Sequence, residues 1–285
     1  MTSALARAGH ALGALRAIPE AYQVPRIPAS GVRFFFDEFY CQDRPVIITG
    51  ALRDWPCFRT WTPEYLKGAL GQRQHVFRYE EGQSLSMDVA DYLDVAFSKK
   101  TPAEYASALP TPPSATEKLP YMRHFGPLRG PLLAEYEIAS LFPEPEAFRF
   151  STFLFCGVPS TKTNCHYDWT HNFVGVVRGR KHVTLLPPGA ERHMAVSDEQ
   201  RGMLAKGDCD FFADPPGLEL RPEAWGAGGG GLPMHEHPVF KGCPELSYSP
   251  LDEGDLVFFP AYWYHYFHNI EPSISVTTQT CPIGG

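Results

Sequence analysis

FRFSTFLFCGVPSTKTNCHYDWTHNFVGVVRGRKHVTLL, residues 148–186, is the stretch whose reading decides the fold. Three apolar or alternating runs, Phe148 to Val158, Asn172 to Val177 and His182 to Leu186, are cut by Pro159 and by the turn Arg178-Gly179-Arg180. β-Branched and aromatic residues dominate these runs, and turn residues bound them, so each predicts a strand. The same texture returns at Leu256 to Phe259 and Ile274 to Thr278. Several short strands at this spacing predict a mainly β barrel or sandwich.

Towards the N-terminus the pattern changes. Phe34, Phe35, Phe36, Phe39 and Tyr40 give an apolar helical face, and Val46-Ile47-Ile48-Thr49 then reads as a buried strand ending at Gly50. Thr62-Pro63-Glu64 supplies a capping hydroxyl, a first-turn proline and a first-turn acid, and Gly71 supplies a stop, which predicts a helix over 63–70. A second helix is predicted from Ser86 through Val89, Leu93 and Phe97 to Lys99-Lys100. Residues 101–120 hold five prolines and read as an irregular connection. The organisation expected is a flexible tail (1–29), a helix and strand extension packed on the barrel (30–146), and the barrel itself (147–285). A loop-rich, partly mobile insertion, 188–245, contains Gly228-Gly229-Gly230-Gly231, and the whole is expected to form one structural unit.

Composition narrows the function classes. The chain is 44% hydrophobic with no run of about 18 apolar residues, so no membrane span is expected. Its net charge is −7 and it has no Lys/Arg-rich run, which disfavours a nucleic-acid partner without removing it. Seven scattered cysteines without a C-x-x-C pair point to a reducing compartment, cytoplasmic or nuclear. Arg7 and Arg16 among alanines, with no acid before Glu20, faintly resemble an organellar transit peptide, but a frayed tail is the preferred reading.

The chemistry rests on three separated elements. His166-Tyr167-Asp168 sets an imidazole and a carboxylate two residues apart, on one face if the segment is a strand. Alone, such a pair reads equally well as a structural His/Asp contact. Gly254 to Phe259 is a turn feeding a buried strand, and Pro260 then leads to the aromatic-flanked His265. Two imidazoles and one carboxylate form the set that leaves open positions on non-haem Fe(II). His268 competes with His265 but lies three residues on, on the opposite face of a continuing strand. Lys181 follows the turn at Gly179; a strand returning across the sheet there aims it at the interior, where an ammonium needs an anion. A lysine that snorkels to the surface is the competing reading.

Together, Thr163-x-x-His166-x-Asp168-x-x-x-Asn172, Gly179-x-Lys181 and Gly254-Asp255-x-x-x-x-Pro260-x-x-Trp263-x-His265 resemble the JmjC hydroxylases. Arg44 to Leu66 and the tyrosine-bearing Lys118-Leu119-Pro120-Tyr121-Met122-Arg123 extend the likeness over roughly residues 25–280. The resemblance implies a double-stranded β-helix, a jelly roll of the cupin type, with an N-terminal α/β extension. It implies Fe(II) held by His166, Asp168 and His265. It implies 2-oxoglutarate bound by Lys181, Thr163 and Tyr121, with Asn172 beside it and O2 as second co-substrate. No catalytic residue is expected beyond the metal centre. A protein or peptide substrate is the first expectation; N-methyl-lysine demethylation, tRNA-nucleoside hydroxylation and a non-catalytic binding role are the alternatives. Those hydroxylases often carry an asparagine on the last strand; here Thr277 or a neighbour stands there, and its role is left open. The oligomeric state is also left open.

The remaining histidines say less. His235-Glu236-His237 with Cys209, Cys243 or Cys281 fits no standard structural zinc spacing. Cys165 and Tyr167 flank His166 and read as packing residues. His171 and Arg123 are candidates for the pocket mouth.

Overall fold

The computed structural model describes residues 18–71, 73–78, 84–98, 102–109, 121–159, 161–194, 234–236, 240 and 242–283. Its strands are β1 (Arg26–Pro28), β2 (Val46–Thr49), β3 (Gln74–Arg78), β4 (Ser84–Asp88), β5 (Met122–Phe125), β6 (Phe148–Gly157) and β7 (Lys162–His166), followed by β8 (His171–Arg178), β9 (Lys181–Leu186), β10 (Ser247–Leu251), β11 (Leu256–Phe259), β12 (Tyr264–Asn269) and β13 (Ser273–Pro282). The α-helices are α1 (Pro56–Thr60), α2 (Pro63–Leu70), α3 (Val89–Ser98), α4 (Pro102–Ala108) and α5 (Pro131–Ala134).

Seven strands make one sheet in the order β1-β2-β11-β8-β13-β6-β5, and four make a second, β10-β9-β12-β7. All pairs in these two sheets are antiparallel except β1 with β2. This is the mainly β jelly roll with an N-terminal α/β extension that the motifs implied.

Period two explains both the cores and the sequence texture. Along β11, Val257 and Phe259 join Val174, Val183, Leu185 and Phe267 in the cluster between the sheets. Leu256 and Phe258 turn the other way, onto Phe35, Trp61 and Leu93 of the extension. All four β11 residues are at most 1% exposed, because the sheet is covered on both faces; such a strand reads as an unbroken apolar run.

The extension departs from expectation in three places. The Phe34–Tyr40 face is not an α-helix but a 3₁₀ segment, Ala29–Phe34, followed by a π turn, Phe36–Tyr40, closed by Cys41 N–H donating to the Phe36 carbonyl at 2.9 Å. Phe35 stands edge-on to Phe173 and Phe258, so core aromatics set the local winding. The helix expected from Ser86 begins at Val89, since Ser84–Asp88 alternates and pairs with Gln74–Arg78 instead; Lys99 and Lys100 lie outside the described residues. Within 101–120, Pro102–Ala108 is helical, its proline tolerated in the first turn where an N–H has no partner to lose. The 63–70 helix stands as read, with Thr62 Oγ1 accepting from the Tyr65 N–H at 3.1 Å.

Residues 18–28 belong to the fold rather than to a loose tail. Val24 N–H donates to Ser249 Oγ at 3.1 Å. Arg26 donates to the Pro250 carbonyl and pairs with Asp255 Oδ2 at 3.0 Å. Ile18 is buried on the outer face of the four-stranded sheet, beside Ala190, Met194, Met234 and Phe240 from the described ends of the 188–245 insertion. The glycine run and its expected mobility lie outside the described residues.

The β8–β9 connection also differs from the expected return within one sheet. β8 belongs to the seven-stranded sheet and β9 to the four-stranded one, so the chain crosses between layers at Gly179. That residue sits at φ +76°, and a Cβ there would meet the Pro272 carbonyl oxygen at 2.1 Å; only glycine fits so close a backbone approach. The crossing still turns Lys181 inward, by a different route.

Candidate metal centre

β7 and β12 place His166 and His265 directly opposite each other. Asp168 lies two residues beyond the end of β7, and the Tyr262 N–H pins its carbonyl at 2.7 Å. One Asp168 oxygen is 3.8 Å from His166 Nε2 and the other 3.7 Å from His265 Nε2. The donor atoms of the three side chains all lie within 4.8 Å of one another, and no other such group of three occurs among the described residues.

The imidazoles are oriented through their second nitrogens. His166 Nδ1 lies 2.7 Å from the Asn164 carbonyl and His265 Nδ1 lies 3.0 Å from the Trp263 carbonyl. A carbonyl oxygen only accepts, so each Nδ1 carries a proton, and Nε2 is the nitrogen left on each ring to serve as a metal ligand. Burial, reinforced by the neighbouring His166, drives the His265 pKa down to about 3, against the opposing pull of Asp168. Its ring is therefore unprotonated at neutral pH. The donor set is two imidazole nitrogens and one carboxylate, which fits a divalent first-row metal. His268 turns to the outer face, beside Tyr266, as the strand period requires.

The adjoining cavity, about 470 Å³ counted to its open mouth, is lined by these three residues and also by Tyr121, Thr163, Asn172 and Lys181. Lys181 is 2% exposed. Its ammonium donates to Tyr121 Oη at 2.9 Å and to Ser275 Oγ at 2.7 Å, and no carboxylate among the described residues pairs with it. Two neutral hydroxyls do not balance a buried cation, so the site favours an anion. Asn172, 1% exposed, donates to the Thr170 carbonyl while its own Oδ1 is unpartnered, a second polar atom without a protein answer.

Several residues of the site were not anticipated. Ser275 is the last-strand contact left open, and it reaches Lys181. Thr277 and Gln279 line the same cavity, and Gln279 Nε2 donates to Asp168 Oδ2 at 3.4 Å. β13 alternates, Ser275, Thr277 and Gln279 interleaving with Ile274 and Val276, a pattern that does not by itself say which face meets the cavity. His124, Phe153 and Phe155 complete the wall. His171 is not at the mouth; it accepts from the Ala261 N–H at 3.2 Å and packs on Tyr40. His235 bonds Tyr248 Oη at 2.8 Å and stacks on Tyr22, so it serves packing; His237 and Cys209 lie outside the described residues. Cys165 and Tyr167 pack in the outer cluster.

A family model described as a cupin-like domain matches residues 32–278. The chain belongs to the cupin-like domain family. The JmjC resemblance read from its motifs stands with that membership. This cupin-like chain is 28% identical to JmjC domain-containing protein A of Dictyostelium discoideum, over 76% of its own length and 80% of the relative's. It is 26% identical to tRNA wybutosine-synthesizing protein 5 of Danio rerio, over 86% and 71%. It is 22% identical to a bifunctional peptidase and (3S)-lysyl hydroxylase of Homo sapiens, over 85% and 78%.

Proposed function

We propose that this chain is an Fe(II)- and 2-oxoglutarate-dependent oxygenase that hydroxylates a protein side chain. The observation that carries the proposal is the meeting, in one cavity, of a two-histidine, one-carboxylate donor set with a buried ammonium that no described carboxylate pairs. His166 Nε2, Asp168 and His265 Nε2 would hold the metal. Lys181 and Tyr121 would receive the distal carboxylate of 2-oxoglutarate, with Thr163 and Asn172 beside it. When bound, Fe(II), 2-oxoglutarate and O2 together supply oxidative decarboxylation to succinate and CO2, with one oxygen atom delivered to a C–H bond.

The chain's own part is orientation and shielding. The Asn164 and Trp263 carbonyls hold the two imidazoles through Nδ1, so that Nε2 of each would be the nitrogen offered to the metal. Gln279 steadies one Asp168 oxygen. Phe153, Phe155 and Phe259 keep the cavity wall apolar, which limits water around the reacting centre. The reading of a protein substrate is supported by the net charge of −7 and by the lysyl hydroxylase relative.

The test is incubation of the full chain with Fe(II), 2-oxoglutarate and a peptide library, following succinate and peptide mass. A gain of one oxygen on a peptide, lost in His166→Ala, supports the proposal. Loss of a methylene unit makes it a demethylase, and oxygen on a tRNA nucleoside makes RNA the substrate. Absence of succinate in every condition, with Mn(II) still bound, leaves a metal-binding module.

A further inference from the structure

A second, larger cavity lies beside the first: an open groove of about 1360 Å³, counted to its open face. His124 lines both. Its backbone is held at φ +55°, and its ring packs on Phe155 at 4.8 Å, which fixes it as the partition between groove and metal cavity. The groove floor is apolar and buried, with Leu70 from the end of α2 and Leu128 and Leu132 from the segment after β5.

Charge distinguishes this groove from an ordinary cleft. Arg73 and Arg129 line it, both exposed, and neither has a carboxylate partner among the described residues. The nearby carboxylate of Glu135 is already occupied by Thr60 Oγ1, Trp61 Nε1 and the hydroxyl of Tyr65, itself a groove residue. Among the described residues no acid lines the groove, in a chain whose net charge is −7. Uncompensated cations on an acidic protein select an anionic partner.

We propose that this groove binds an acidic segment of the substrate protein, Arg73 and Arg129 meeting its carboxylates while the neighbouring residue passes His124 to the metal. The proposal rests on the protein-hydroxylase reading and deepens it. An apolar floor with two guanidiniums suits a peptide with carboxylates flanking an apolar side chain. A nucleic acid strand wants a longer basic track with stacking aromatics.

The experiment probes the full chain on an array of random short peptides, beside the double variant Arg73→Glu/Arg129→Glu. Wild type should enrich Asp and Glu among bound sequences, and charge reversal should weaken the best acidic binder by about ten-fold and enrich Lys and Arg instead. Unchanged Mn(II) affinity and melting temperature establish that the variant is folded; should it fail to fold, Arg73→Gln and Arg129→Gln, each made singly, should weaken the best acidic binder less but in the same direction. The proposal is overturned if wild type shows no acid preference, if the preference survives reversal, or if a labelled tRNA stem-loop displaces the acidic peptides. Binding is read without turnover, so the two readings fail separately. Acid-selective binding without succinate formation sinks the oxygenase and keeps the groove; succinate formation without acid preference does the reverse.

Discussion

His166 and His265 face each other across the β7–β12 ladder, their ring centroids 4.2 Å apart, although they stand 265 − 166 = 99 residues apart in the chain. Backbone pairing of two strands thus builds the site, and Asp168 completes it from just beyond a strand end. Removing either histidine breaks a three-donor set that has no spare ligand among the described residues. His265→Ala and His166→Ala should each lower Mn(II) affinity by at least about a hundred-fold, beyond the loss usual for a supporting partner of a metal ligand. Titration calorimetry on the apoprotein checks this, and an unchanged affinity in either variant removes that residue from the centre.

Lys181 presents the opposite energetic sign. Its ammonium is buried against two hydroxyls and no carboxylate among the described residues, which costs stability until an anion binds. Lys181→Met should therefore raise the apoprotein's melting temperature while raising the KM for 2-oxoglutarate by about thirty-fold or more, the loss expected on truncating one side of a buried charge pair. A variant that melts lower and keeps its KM would mean that the lysine is structural.

What the sequence made legible follows from residue chemistry. His166, Asp168, His265 and Lys181 could be picked out because an H-x-D pair, a distant aromatic-flanked histidine and a lysine after a turn together match one chemistry, although each alone has a structural reading. Ser275 and Gln279 were illegible because small polar residues alternating along a strand look the same whether they face a cavity or water. The layer change at Gly179 was hidden because turn residues specify a reversal, not which sheet receives the next strand. Residues 18–28 looked like a tail because they dock through backbone pairing and one ion pair, which leave no periodic signal.

Buried neutral histidines should set the acid stability. Burial lowers the pKa of both His265 and His182, the latter lowered further by the neighbouring His268 and Arg180. Each group is unprotonated in the fold yet titrates near 6.5 when unfolded, so the unfolded state binds more protons below about pH 6.5. Stability is then full above that pH and falls on acidification, by up to about 1.4 kcal/mol per pH unit for each group. His182→Gln should flatten the decline in apoprotein urea midpoints between pH 8 and pH 5; an unaltered slope would rule His182 out as its source.

Arg26 and Asp255 tie the N-terminal segment to the barrel, and their disruption should carry a pH signature of its own. Asp255 is almost fully buried; burial raises its pKa, and Arg26 holds that rise in check alongside the Gly50 N–H. Arg26→Ala leaves a carboxylate in the interior without its cation, a change that costs about 3–5 kcal/mol. Without Arg26 the Asp255 carboxyl moves further up, so the folded variant holds its proton to higher pH than the unfolded chain does. For such a group stability is present at low pH and is lost as pH rises above the unfolded value near 3.9. The deficit of Arg26→Ala relative to wild type should thus shrink on acidification, and Asp255→Asn should recover much of it at neutral pH. Denaturation midpoints of the single and double variants at two pH values test both points. A deficit independent of pH and not relieved by the second substitution would assign the role of Arg26 to its bond with the Pro250 carbonyl instead.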